Sequence, residues 1–395
     1  MSLAQFCGSR LRDARVARGM TASLLAERVG VAPSMVSHYE LEKNDPKPHV
    51  MARIASVLSV PESHFLKAPL SSGEPPYLYR SKAASTKRAR ESAEVRHRWF
   101  LEILEFVSSA VELPAVQLDD IGGRKAPSEI SDEQIEEAAA EVRRRWGLGD
   151  GPIANMILTA ESKGCAVSRF AFGAEDLNSF SHYDRVPSIA LNADSISAVR
   201  GRFDCAHELA HLVLHRSVKR ADAEKPETHK RMEMQAHRFA AAFLFPASSF
   251  VDEVYSTSFD ALLSLKRRWK VSVQMMIRRA RDLDLINQDK YERTFRDLSR
   301  RGFRTREPLD DEIQPEGPTV LNKAIRLMLD QRLVTREELC YQLRLDVGDI
   351  EVLAHLPTGF LATERWGEVV EIRERVHTKT GGGDNTDNVL QFPKR

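Results

Sequence analysis

The chain is poor in cysteine and close to neutral. Its 395 residues hold four cysteines, Cys7, Cys165, Cys205 and Cys340, with no C-x-x-C pair among them. That excludes a disulfide scaffold and fits a reduced compartment. Lysine and arginine total 58 against 57 aspartate and glutamate, a net charge of +1. Overall charge therefore gives no argument for nucleic acid, and only local clusters can. No apolar run approaches the roughly 20 residues that span a bilayer core. The N-terminus has no apolar signal core. A soluble, cytoplasmic protein with no membrane partner is expected. Apolar content of 42% is enough for true cores, and the length suggests two to three domains.

What the chain does have is a chemical motif. Phe203 to His215 contains His207-Glu208-Leu209-Ala210-His211 inside an apolar run with no Gly or Pro. On a helix, His207 and His211 share one face. Two imidazoles so placed can bind one zinc ion, Zn2+, with Glu208 beside them as general base.

A hydrolytic zinc site needs a third protein ligand and an open position. His215 is nearest in sequence but lies about 12 Å beyond His207 along a helix axis, too far for one ion to reach both. A second helical run, Glu233 to Phe245, stops at Pro246, with Ala236, Phe239, Ala240 and Phe243 as its packing face. Glu233 can look out of that helix toward the first, and His237, one turn on, is the reserve.

H-E-L-A-H-L-V-L-H followed by E-x-x-A-x-x-F-A-A-x-x-L-x-P resembles the ImmA/IrrE family of metallopeptidases. The resemblance implies zinc held by His207, His211 and Glu233, with Glu208 as base. Ala210 stands where the family commonly has Gly. It also implies a protein or peptide substrate, often a helix-turn-helix repressor, held along a sheet edge formed by residues 178–192. The oxyanion donor is open among His182, Tyr183 and His237.

The first 68 residues read as short helices with capping punctuation. Thr21 caps a helix over Ala22 to Val29 that Gly30 stops, and Pro33 opens the next. A helix follows Pro48, and a last turn starts at Pro61. Two helices joined by a tight Gly-containing turn suggest helix-turn-helix. Leu-x-x-Ala-Arg, Thr-x-x-x-Leu-Ala-x-x-Val-Gly-Val and Met-Val-Ser-x-Tyr-Glu resemble the XRE family. That family binds double-stranded operator DNA, usually as a homodimer. Matching positions nominate Ser34, Met35, Ser37 and His38 near base edges or phosphates, with Lys43 and Lys47 as phosphate contacts. Ala22, Pro33 and Glu42 depart from common family residues, Glu42 standing where Gly is frequent.

Residues 69–76 read as a linker. The basic stretch from Arg80 to Arg98 continues into a long helix with Val95, Trp99, Ile103, Leu104 and Val107 inward. A solvated basic face is the expected reading, with a DNA-facing arm or an interdomain helix as the other. Ser131 and Gln134 form a capping box. Gly151-Pro152 restarts a helix to Lys163. Residues 165–170 and 188–192 look like strands. The basic run Lys266, Arg267, Arg268, Lys270, Arg278, Arg279 and Arg281 reads as a wet helix face. Three helices end the ordered chain, over Ala324 to Gln331, Arg336 to Leu343 and Asp349 to Leu356.

The whole is expected to be mainly α and multidomain. A five-helix XRE-type helix-turn-helix fills 1–68, and a linker and connecting helix fill 69–130. A central α+β zincin-like metallopeptidase domain with a small sheet fills 131–305. A small helical C-terminal domain, structural or oligomerising, fills 306–380, and a disordered tail 381–395. The leading function is a DNA-binding transcriptional regulator with a zinc-dependent endopeptidase domain. The alternative is a transcription factor whose peptidase-like domain is a non-catalytic sensor or structural module. In a third reading the N-terminal module grips a protein.

Overall fold

The computed structural model describes residues 5–70, 78–79, 87–118, 125–194 and 197–362. Most of the expected linker, Arg80, Lys82 and the tail 381–395 lie outside the described residues.

The N-terminal helices are α1 (Gly8–Ala17), α2 (Ala22–Val29), α3 (Pro33–Glu40) and α4 (Pro48–Leu58), closed by a 3₁₀ turn over Glu62–Leu66. Their ends follow the expected chemistry. The Thr21 hydroxyl accepts from Leu24 N at 3.1 Å, and Gly30 takes φ 72° at the end of α2. Glu42 also adopts a positive φ of 55°, the conformation that favours glycine there. Its carboxylate accepts from Gly8 N at 2.8 Å, so the substituted side chain anchors the start of α1.

β1 (Leu78–Tyr79) and α5 (Lys87–Ser108) come next, then α6 (Asp132–Trp146) and α7 (Met156–Ser162). α7 starts later than expected. Pro152 does not open it; the Asn155 side chain caps it, accepting from Leu158 N at 2.8 Å. β2 (Ala166–Phe170), β3 (Ser179–Tyr183) and β4 (Pro187–Asn192) lead to α8 (Ala198–Leu214), which carries the histidines. α9 (Arg220–Ala223), α10 (Pro226–Leu244), α11 (Ala247–Glu253), α12 (Phe259–Trp269), α13 (Val273–Asp282) and α14 (Gln288–Arg300) follow. α15 (Val320–Asp330), α16 (Arg336–Leu343) and α17 (Val347–Leu353) are the last described helices.

The sheet runs β1-β3-β4-β2, with β2 and β4 parallel and the other pairs antiparallel. It is a wall between two cores, because successive residues of a strand point to opposite faces. Val167, Ile189 and Leu191 pack with α6, α7, α8, α10 and α12–α14. Phe170, Phe180 and Ala190 pack with the N-terminal helices, α5 and α15–α17. The last three helices thus share a core with the first four. Arg18, at the end of α1, also pairs with Asp349 on α17 at 2.5 Å.

α5 packs against α1, α15–α17 and the sheet rather than presenting a wet basic face. His97 is fully buried, its Nε2 2.9 Å from Ser188 Oγ and its Nδ1 3.3 Å from Ser168 Oγ. Arg98 pairs with Asp13 at 3.1 Å, and Arg96 donates to Ala171 O at 2.8 Å. Of its basic residues, only Lys87 and Arg88, at its start, are exposed. The basic run on α12 and α13 is also corrected in part. Lys266 lies on the buried stripe with Leu262 and Trp269, reaching Glu307 at 2.8 Å and Asp310 at 2.6 Å. Arg279 is buried and takes both oxygens of Glu136. The acid-rich turn after Arg306 and the acidic face of α6 supply these counter-charges.

Candidate metal centre and candidate nucleic-acid interface

α8 and α10 pack side by side, α8 with its histidines facing the interior. His207 Nε2 and His211 Nε2 lie 3.2 Å apart. Each lies 3.3 Å from one oxygen of Glu233, His207 from Oε2 and His211 from Oε1. These are the described residues whose donor atoms cluster as metal ligands do. The spacing fits zinc. Two donors at about 2.05 Å from a tetrahedral ion are separated by about 3.3 Å. The donor set, two imidazoles and one carboxylate, is also a zinc set with room for a fourth ligand.

Electrostatics agree with a cation-seeking site. Burial works against the Glu233 carboxylate, but hydrogen bonds from His207 and His211 overcome it and hold Glu233 far below its usual range. Burial likewise disfavours the His211 imidazolium, and the Glu233 carboxylate more than reverses this, leaving it raised. Glu208 is fully buried, and that burial lifts its carboxyl to about 7. Ser179 on β3 donates its hydroxyl to Glu208 Oε1 at 2.7 Å. β3 brings Ser179, Ser181 and Tyr183 to the α8 side and turns Phe180 and His182 toward α5.

The N-terminal module presents α3 outward. Ser34 and Ser37 are exposed, as are Lys43 and Lys47 beyond its end. Met35 and His38 are half-buried, and Met35 packs partly against the core. Val36 and Tyr39 hold the helix inward, and Arg15 on α1 pairs with Glu40 at 2.5 Å.

Residues 160–281 match the family described as the IrrE N-terminal-like domain, and residues 11–65 match the helix-turn-helix family. The chain joins an XRE-type helix-turn-helix domain to an IrrE-like domain. No curated protein matches it.

Within the IrrE-like domain, the expected residues divide clearly. His207, His211 and Glu233 come together, with Glu208 beside them. The reserve ligand His237 is not in the cluster; its ring packs on Phe203 at 4.7 Å. His182 does not fit as an oxyanion donor, because strand alternation turns it to the α5 face, where it lines a cavity with Arg98, Leu101 and Glu105. Tyr183 is on the α8 face, with the Arg216 guanidinium 5.0 Å above its ring. The expected open edge along 178–192 is corrected in part. The outer edge of β3 is paired antiparallel with the chain's own Leu78 and Tyr79, opposite Ser181 and Phe180.

Two positions wired to the cluster, Ser179 through Glu208 and Gln235 through His215, were missed from sequence. Ser179 had a readable signal, since serines at 179 and 181 alternate on a strand leading to the motif helix. Gln235 had none, being an amide two residues beyond Glu233. Among the described residues no helix is long and apolar enough to cross a membrane.

Proposed function

We propose that the chain is a DNA-binding transcriptional regulator whose IrrE-like domain is a zinc-dependent endopeptidase acting on a protein. The observation that carries the reading is the meeting of His207, His211 and Glu233 at one point, with the buried Glu208 carboxyl beside them. His207 and His211 would hold the ion through Nε2, and Glu233 through its carboxylate. Bound zinc supplies a Lewis acid for the scissile carbonyl and acidifies water.

Amide hydrolysis requires a proton to leave water and arrive on the departing amine. Glu208 serves both transfers. A carboxyl lifted to about 7 accepts and returns a proton near neutral pH. Ser179 fixes one of its oxygens, leaving the other for the proton. The N-terminal module would dock α3 in the major groove, with Ser34, Met35, Ser37 and His38 at base edges or phosphates and Lys43 and Lys47 on phosphates. A homodimer on a two-fold operator and a cytoplasmic location accord with this reading.

The test is a comparison of protein N-termini in cells overproducing the wild type or Glu208→Gln. A new N-terminus that needs Glu208 supports the peptidase. Wild-type and variant cells with identical N-termini contradict it.

A second reading rests on a specific observation. Glu208 is 0% exposed, and β3 already carries Leu78 and Tyr79 on its outer edge. A closed site of this kind suits a sensor module that binds zinc without turnover. Reporter output separates the two: a sensor leaves Glu208→Gln equal to wild type, whereas a peptidase that controls transcription does not.

A further inference from the structure

Of the buried groups outside the donor set, His215 has the most specific wiring. It caps the end of α8 one turn past His211 and is 1% exposed. Its neighbour Gln235 on α10 is 5% exposed. Gln235 Nε2 donates to the carbonyl oxygens of Pro127 at 2.7 Å and Ile130 at 3.3 Å. Carbonyl oxygens only accept, so that end of the amide is the nitrogen and the other end is the oxygen. The oxygen lies 3.0 Å from His215 Nε2. An amide oxygen also only accepts, so His215 carries its proton on Nε2. The neutral ring then has a lone pair at Nδ1.

That lone pair faces His211 Nδ1 at 2.9 Å. His211 must donate there. With Nδ1 committed to His215, Nε2 is the atom that His211 turns toward His207 and Glu233, and the one it would offer to a metal. We infer that His215 and Gln235 are positioning residues that fix the tautomer and ring plane of His211 through a relay of hydrogen bonds starting at two backbone carbonyls. The inference rests on the zinc reading above and adds to it how one ligand is kept ready. Metal-bound histidines usually give their second N–H to a carbonyl or carboxylate. Here a second imidazole takes that place, and its own acceptor state is dictated by an amide on the helix that brings Glu233.

The relay explains why His215 sits in the motif without reaching the ion. It also separates two readings of that residue. Simple packing makes its nitrogens interchangeable, whereas the relay makes each distinct.

Zinc affinity of the full-length chain, measured by competition with a chelator, is the first readout. Gln235→Leu and His215→Phe are expected to bind zinc about 10–100-fold more weakly than wild type. His237→Ala, on the same helix but outside the relay, is expected to match wild type. Long-range proton–nitrogen NMR of the wild-type rings is the second readout and needs no variant to fold. It is expected to find His215 protonated at Nε2 and His211 protonated at Nδ1. Wild-type affinity in folded Gln235→Leu, or His215 protonated at Nδ1 instead, would overturn the relay. If the wild type takes up no zinc, the metal reading itself fails, and the protonated nitrogen of His215 in the metal-free chain still decides the relay.

Discussion

Ser179 on β3 donates its hydroxyl to Glu208 on α8 at 2.7 Å, tying the sheet to the helix that bears both histidines. The acceptor is fully buried, so no water can replace the serine without rearrangement. Ser179→Ala is expected to lower unfolding free energy by about 1–3 kcal/mol, the cost of stranding a buried acceptor. Zinc content should stay at the wild-type level, since Ser179 touches no ligand. Urea unfolding and metal analysis on the same preparation check both statements.

Stability should fall as pH drops below neutrality, and His97 should account for part of the fall. Burial pushes the His97 imidazole down to about 3, with His182 adding to the effect. The unfolded ring takes its proton as pH falls through about 6.5, whereas the folded ring stays neutral until about 3. Stability contributed by the neutral ring is therefore present above about 6.5 and lost as pH falls below it. At pH 5 this amounts to about 2 kcal/mol for one histidine. His64, lowered to about 4, and His215, lowered to about 3, act with the same sign. Comparing urea midpoints near pH 7.5 and pH 5, His97→Gln should show a loss smaller than that of wild type by about 2 kcal/mol.

Lys266 tests the electrostatics of the second core. Its ammonium is 0% exposed and lies between Glu307 and Asp310. Lys266→Ala leaves two buried carboxylates without their cation and should cost about 3–5 kcal/mol. Lys266→Met combined with Glu307→Gln and Asp310→Asn should recover most of that, because the stranded charges are gone. Equal stability of Lys266→Ala and wild type in urea would contradict the buried placement.

How much could be read beforehand follows from where the determinants lie. The helix-turn-helix was legible because its signals are local: Thr21, Gly30, Pro33 and Pro48 each act within a turn of their own position. The pairing of His207 with His211 was legible for the same reason. Glu233 came from the resemblance and from the packing face next to it. Lys266 and Arg279 were misread because their partners, Glu307 and Glu136, are distant in sequence, and a charge run says nothing of what folds over it. The pairing of Leu78 and Tyr79 with β3 was out of reach for the same reason, since these residues are distant in sequence from the strand. His215 lies outside the donor cluster, as helix rise leads one to expect, yet its contact with Gln235 depends on how α8 and α10 cross.

On the nucleic-acid side, Lys43 and Lys47 are exposed just past α3. Phosphate contacts give affinity that falls with salt, by about 0.9 in the log–log slope for each phosphate neutralised. Lys43→Ala with Lys47→Ala should weaken binding to any duplex and reduce the slope by about 2. Ser37→Ala should instead change the preference among duplex sequences with little effect on the slope. Fluorescence anisotropy across a salt series distinguishes these outcomes.

The most direct measurement is the zinc content of purified wild type, Glu208→Gln, His207→Ala and Glu233→Ala, prepared side by side and each checked for folding. The account predicts one tightly held zinc per chain in wild type and Glu208→Gln, and its loss in the other two. Folded wild-type protein that takes up no zinc, or a folded Glu233→Ala that keeps it as tightly as wild type, would contradict the account at its centre.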